Sequence, residues 1–336
     1  MTDTPLRFGL IGTGRIGRVH AANVAADPGA LLAWVADPVV SAARDVAAQF
    51  GGSATENSRD VIDPERIDAV IIASPTPTHV DLIEAAVDAG IPVLCEKPID
   101  LDIARVDRLR DRVASAGVPV ALGFNRRFDP SFASARARVV AGEIGPLEQL
   151  TIVSRDPSAP PASYIAVSGG IFRDMTIHDF DMARFFAPDI VEVSAIGTTT
   201  FDAGAREHDD FDTAITTMRT AGGALITVIN SRHSATGYDQ RVEAFGAKGM
   251  LQVGNMPIDL VRASTAAFAA SSAPFEPFFL TRYAAAYAAE LAEFIALARG
   301  DASTSPSFED GRAALVLADA ARRSAAERRV VPVRFD

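Results

Sequence analysis

The stretch that most constrains this chain is LRFGLIGTGRIGRVHAANV, residues 6–24. A short apolar run leads into Gly12-x-Gly14-x-x-Gly17, and a helical pattern follows. Asp37 stands 20 residues after Gly17, at the end of the next apolar run. A glycine triplet alone is weak evidence. Between a strand and a helix, with an acid at that distance, it predicts a dinucleotide site. Gly12 would permit the tight turn, Gly14 the approach of a pyrophosphate, and Gly17 the packing of helix on strand. Arg15 and Ile16 complete the loop, and the helix N-terminus would offer its N–H groups to the phosphates. The Asp37 carboxylate suits a ribose 2′-OH and repels a 2′-phosphate, and Pro38-Val39-Val40 adds no basic residue. The expected cofactor is NAD rather than NADP.

Short β-type runs alternate with helical patterns through residue 122. Strands are expected at 6–11, 31–36, 69–73, 93–95 and 118–122, and helices at 16–26, 41–50, 80–89 and 103–116. Gly90 and Gly117 fall where helices would stop. This is the pattern of an α/β, doubly wound Rossmann domain with a parallel sheet. From residue 123 the pattern changes. A helix is expected near 130–141, then strand-like runs at 147–154, 191–200, 213–219, 224–230, 240–245 and 250–253. Ala221-Gly222-Gly223 reads as a hairpin turn, and helices return near 283–298 and 309–326. The expectation is a C-terminal α+β domain over 123–336 with a large, mostly antiparallel open sheet, following a nucleotide domain over 1–122.

The 336 residues carry a net charge of −11, which argues against nucleic acid or an anionic membrane as partner. Cys95 is the only cysteine, so no intrachain disulfide can form, as suits a reducing cytoplasm. No apolar run is long enough to span a bilayer, and no secretory leader is read at the N-terminus.

In such sheets ligands bind beyond the carboxyl ends of the strands. Two loops fall there. ASPTPTH (73–79) offers Ser74, Pro75 and Thr76 to the cofactor, with His79 nearby. CEKPI (95–99) places Glu96 and Lys97 after a short buried strand, and a surface ion pair between those two is the plain alternative. In GGIFRDMTIHDFD (169–181), Asp174 and His178 are four residues apart and would share a helix face. A capped helix start with a core histidine explains that stretch equally well. Metal binding by Asp174, His178 and Asp181 is a further alternative, although hydride transfer to nicotinamide needs no metal. Asp179 and Asp181 are expected to be solvated or capping, His20 to be packing, Tyr283 and Tyr287 to be core, and REHDDFD (206–212) to be a polar loop.

Together GTGRIG, SPTPTH, CEKP, GFNRRFDP and GGIFRDMTIHDFDMARF resemble the glucose–fructose oxidoreductase / inositol dehydrogenase / MocA family. SRDPSAPPASY and the late RYAAAYAAELAEFI and PSFEDGRAALVLADAA resemble its inositol dehydrogenase branch, and the likeness is weakest between about 255 and 275. The resemblance implies a catalytic triad of Lys97, Asp174 and His178, with His178 as general base. It implies that Arg127 lies near the nicotinamide and that Tyr238 contacts the polyol. Asp156 falls on the substrate loop, where some relatives carry asparagine. The implied activity is NAD-dependent oxidation of a cyclic polyol, foremost myo-inositol to its 2-ketone, without metal. Other inositol isomers, pyranoses or anhydrosugars are alternatives, as are an NAD-dependent glycosidase and a non-catalytic dinucleotide sensor. A homotetramer in the cytoplasm is the implied assembly.

Overall fold

The computed structural model describes residues 4–336. The chain forms two compact units and crosses between them three times. One unit runs up to Asn125 and includes Ala286–Ala313; the other comprises Arg126–Ala285 and Ala314–Asp336.

In the first unit, β1 (Leu6–Ile11), β2 (Ala30–Ala36), β3 (Ser53–Thr55), β4 (Ala69–Ile72), β5 (Val93–Cys95) and β6 (Val120–Leu122) form one sheet in the order β3-β2-β1-β4-β5-β6. Every pair is parallel. The strand order reverses between β1 and β4, which makes the crevice beside their carboxyl ends the place for a ligand. Helices Arg15–Ala26, Val40–Phe50, His79–Asp88 and Ile103–Ala116 connect the strands. All four residues of β4, Ala-Val-Ile-Ile, are buried, as a sheet covered on both faces requires. Gly117 ends its helix in the left-handed conformation at φ +66°. The sixth strand, β3, was not expected: Ser-Ala-Thr lacks the apolar run that marks its neighbours.

A domain boundary at 122/123 assigns everything later to the second domain. The structure instead packs 286–313 within the first unit. Leu291, Phe294 and Ile295 join a core with Phe8, Leu10, Val24 and Leu94, and the rings of Phe8 and Phe294 meet edge-on at 6.1 Å. The Leu122 amide donates to the Pro306 carbonyl, closing the β6 edge.

In the second unit, β7 (Leu147–Arg155), β8 (Ile190–Thr198), β9 (Thr213–Thr220), β10 (Leu225–Ser231), β11 (Asp239–Gly246) and β12 (Gly249–Val253) join a short last strand, Val331–Pro332. The order is β12-β11-β7-β10-β9-β8 and then the last strand. All neighbours are antiparallel except β7 and β10, which run parallel. Residues 221–223 make the expected hairpin between β9 and β10. Pro130 opens the helix Pro130–Val140, and the Asp129 side chain caps it by accepting from the amides of Ser131 and Phe132.

Candidate active site

The glycine loop follows β1 as the spacing requires. Gly12 has φ +96°, and a Cβ there would lie 2.6 Å from the backbone of Ala73 and Ser74. A Cβ on Gly17 would stand 2.0 Å from the Gly12 carbonyl oxygen. At Gly14 a Cβ would meet nothing within 4 Å. Two glycines are thus fixed by the protein's own packing, while Gly14 faces open space. Gly14 also caps the helix Arg15–Ala26, which has no side-chain cap and no acidic residue in its first turn. The residues present at this helix start fit a pyrophosphate.

Asp37 is oriented before any ligand arrives. Its Oδ2 accepts from the Thr13 amide (2.9 Å) and the Thr13 hydroxyl (2.7 Å), and its Oδ1 accepts from the Val39 amide (2.9 Å). Partial burial works against its charge, but these hydrogen bonds outweigh it and hold the carboxyl below its usual range. Thr13 is a partner the sequence reading passed over.

The two loops beyond β4 and β5 are tied together. The ring nitrogens of buried His79 lie 2.7 Å from the Ser74 carbonyl oxygen and 2.8 Å from that of Pro98. The Ser74 and Thr78 hydroxyls are 2.6 Å apart. Glu96 contacts His20 Nε2 at 2.8 Å, so His20, expected only to pack, engages the residue next to Lys97. Lys97 is half-buried at the start of the loop.

In the second unit, Asp174 and His178 do not share one continuous helix. Asp174 ends the short helix Ile171–Asp174, and His178 lies in the first turn of Ile177–Phe186. The Asp174 carboxylate is held from two sides: Oδ1 accepts from the Tyr164 hydroxyl (2.8 Å) and Oδ2 from Arg232 (3.1 Å). Arg232 is fully buried and also reaches Asp210 at 3.2 Å. Burial opposes the charge of Arg232, but Asp174 and Asp210 outweigh it and raise its proton affinity. Gly170, with φ +84°, abuts Asp210: a Cβ would lie 2.8 Å from Oδ1, which accepts from the Ile171 amide. The 206–212 stretch therefore supplies structural carboxylates, and Asp212 likewise accepts from the amides of Thr200, Phe201 and Asp202.

Asp179 and Asp181 are buried, not solvated. Asp179 pairs with Arg126 (2.7 Å) and also accepts from Ser154 and Asn230. Asp181 takes a two-pronged ion pair from Arg127, whose guanidinium lies over the Phe185 ring. Pairing explains how both aspartates tolerate burial. Tyr238 is buried, and its hydroxyl accepts from Arg126 at 3.4 Å. Asp156 follows β7, and its amide donates to the Ser231 carbonyl. Burial, then the nearby Asp174 charge, raise its carboxyl to about 7 against the opposing pull of Arg126 and Arg232. Tyr283 and Tyr287 are core, as expected. Among the described residues, no helix is long and apolar enough to cross a membrane.

A 3-2-1-4-5-6 parallel sheet with an open Gly14, a helix start without a side-chain cap and a fixed acid just after β2 defines a dinucleotide-binding Rossmann domain. Family comparison agrees. Residues 6–124 match the oxidoreductase family with NAD-binding Rossmann fold, and residues 132–252 match the GFO/IDH/MocA C-terminal domain. The chain belongs to the GFO/IDH/MocA oxidoreductase family. It is 45% identical to an inositol 2-dehydrogenase of Rhizobium meliloti (strain 1021), over 98% of this chain and 99% of that one. It superposes on a myo-inositol dehydrogenase from Corynebacterium glutamicum ATCC 13032 with a TM-score of 0.95 and 52% identity, covering 98% and 99% of the two chains. A scyllo-inositol dehydrogenase from Lactobacillus casei, solved with NAD(H) and scyllo-inositol, matches at 30% identity and TM-score 0.90 over 98% and 99%.

Proposed function

We propose that this protein is an NAD-dependent inositol 2-dehydrogenase that oxidises myo-inositol to its 2-ketone. The observation that carries this reading is the similarity, along nearly the whole chain, to inositol 2-dehydrogenases. Lys97, Asp174 and His178 support it chemically. Removing hydrogen from a secondary alcohol needs a hydride acceptor, a proton acceptor and something to steady the oxygen between them. NAD, when bound, supplies the hydride acceptor. His178 takes the hydroxyl proton, a role that contributes roughly 10²–10⁴-fold. Lys97 donates a hydrogen bond to the same oxygen and stabilises the negative charge it develops. Asp174, steadied by Tyr164 and Arg232, accepts from a neighbouring hydroxyl and fixes the ring. Arg127, Asp156 and Tyr238 complete the polar surroundings of the substrate. Ser74, Pro75, Thr76, His79 and Glu96 shape the nicotinamide end of the cofactor site.

Scyllo-inositol is the second substrate to test, because one full-length structural relative carries it. The protein is expected to work in the cytoplasm, where its single, buried cysteine stays reduced. NADH absorbance on a panel of inositol isomers and pyranoses tests the reading, with myo-inositol expected to give the highest kcat/KM. His178→Ala is expected to lose at least a hundredfold in kcat and to bind NAD with unchanged Kd. Unchanged turnover in that variant would refute the base, and no NADH with any inositol would refute the function.

A further inference from the structure

Glu290 lies on the helix Ala284–Ala298, in the part that packs within the first unit. It is 1% exposed, and among the described residues neither of its carboxyl oxygens has a hydrogen-bond partner. An ionised carboxylate is the group an interior tolerates least without a partner. The neighbouring group that acts on Glu290 electrostatically is another carboxyl, that of Glu96. Glu96 turns its Oε1 to Nε2 of His20, which is itself 1% exposed and has an unpartnered Nδ1. Tyr287, three residues before Glu290, sets its ring edge-on to His20 at 6.0 Å. Gly123 closes in on Glu96, since a Cβ there would lie 2.9 Å from Oε2 and 3.0 Å from Cδ. A buried carboxyl and a buried imidazole, from the returning helix and the phosphate-loop helix, therefore meet the half-buried Glu96 at the end of β5, beside Lys97.

Such a cluster tolerates one negative charge. Glu96 has the imidazole as a hydrogen-bond partner, whereas Glu290 has none among the described residues. We propose that Glu290 is the protonated member of a Glu96–His20–Glu290 cluster and a positioning residue for the turn that carries Lys97. Burial first, and then the charge of Glu96, push its carboxyl well above the usual range. Were Glu290 to ionise, it would repel Glu96, and the Glu96-Lys97-Pro98 turn would follow. A second negative charge would also compete with the substrate oxygen for the Lys97 ammonium. His20 and Tyr287 are the other titratable groups of the cluster. The role given to Lys97 rests on the proposed function; the proton on Glu290 does not.

The test compares wild type with Glu290→Gln, which imitates the neutral acid, and Glu290→Ala, which empties the position. A proton-holding Glu290 makes the Tm of wild type fall behind that of E290Q as pH rises from 5 to 9, with the two equal near pH 5. A Tm difference that does not change with pH overturns the protonated state. The chain has only two lysines, Lys97 and Lys248, so ¹³C-dimethylation gives a Lys97 resonance that Lys97→Arg identifies by its loss. That resonance is expected to shift in E290A and to stay in place in E290Q. With myo-inositol at pH 7, E290Q is expected to keep kcat within twofold and E290A to lose at least tenfold, with KM for NAD within threefold in both. A Lys97 resonance and kcat unmoved in E290A overturn the positioning role. If E290A does not fold, His20→Asn, which removes the partner of Glu96, takes its place in both lysine readouts. Wild type inactive on every inositol would count against the proposed function alone, because the Tm and resonance readouts need no substrate.

Discussion

At the scale of single residues, hydrogen bonds decide what the acids of this chain can do. Asp37 receives its three from Thr13 and Val39, so its charge and direction are set before the cofactor arrives. A fixed carboxylate accepts from a ribose 2′-OH at little further cost and opposes a 2′-phosphate at close range. Asp37→Ala is therefore expected to lower the ratio of kcat/KM for NAD over NADP at least tenfold, by steady-state assay with both cofactors. Equal use of the two cofactors by wild type would contradict the assignment. Asp156 is the opposite case. Burial and Asp174 raise its carboxyl to about 7, whereas an unfolded aspartate ionises near about 4. The folded protein thus holds this proton more tightly over that interval. The stabilising contribution is complete below about pH 4 and is lost as pH rises through about 7. Asparagine imitates the protonated form at every pH. Asp156→Asn should match wild type in Tm near pH 4.5 and exceed it above pH 7, by scanning calorimetry across the range. A constant difference would place the proton elsewhere.

At the scale of elements, the stretch 169–181 shows where sequence periodicity stops being informative. Asp174 and His178 are one turn apart in number, yet the helix breaks between them. What replaces continuity is a long-range anchor. Gly170 admits Asp210, and Arg232, just past β10, ties Asp210 to Asp174. None of these partners is near in sequence, which is why Arg232 and Tyr164 went unread while Lys97, Asp174 and His178 could be named from a resemblance. The sheet of the first unit was legible because its strands carry apolar runs bounded by glycine. β3 was not, because three half-polar edge residues carry no such signal. The buried pairs Arg126–Asp179 and Arg127–Asp181 were misjudged for a related reason: composition places aspartate outside, and only tertiary pairing brings it in. Arg232→Met would leave two carboxylates without their shared cation. It is expected to cost roughly 3–5 kcal/mol, the usual toll for breaking a buried pair from one side, measured by urea unfolding. Arg232→Lys keeps the charge but loses the fork, and should fold while raising KM for inositol about tenfold.

At the scale of the whole molecule, the question is what covers the second unit's sheet. The ladder registers put Ile196 opposite Ile215, Leu225 opposite Arg219, and Phe245 opposite Gln149, so these side chains lie on one face across five strands. Ile196 is 75% exposed, Ile215 49% and Leu225 55%. Between them stand Thr217, Thr227 and Thr151, with Arg219 and Gln149 on the same face. A broad, half-apolar face of this kind is unusual on a monomer and suits face-to-face packing of sheets about 10 Å apart. A second copy is the simplest cover, because a two-fold axis lets one patch serve both partners. At about 25 cal/mol per Å² of apolar area, a standard interface of roughly 1,600 Å² holds such a pair together. We therefore expect a homo-oligomer, and a tetramer in keeping with the family resemblance. Ile215, central in that ladder, gives the sharpest test. Ile215→Glu would bury a charge against its symmetry mate, so size-exclusion chromatography with light scattering should show wild type as a tetramer and the variant as dimers or monomers. Circular dichroism should show the variant still folded, since its side chain points away from the core of its own unit. A monomeric wild type at micromolar concentration would mean that this face has no partner in its own kind.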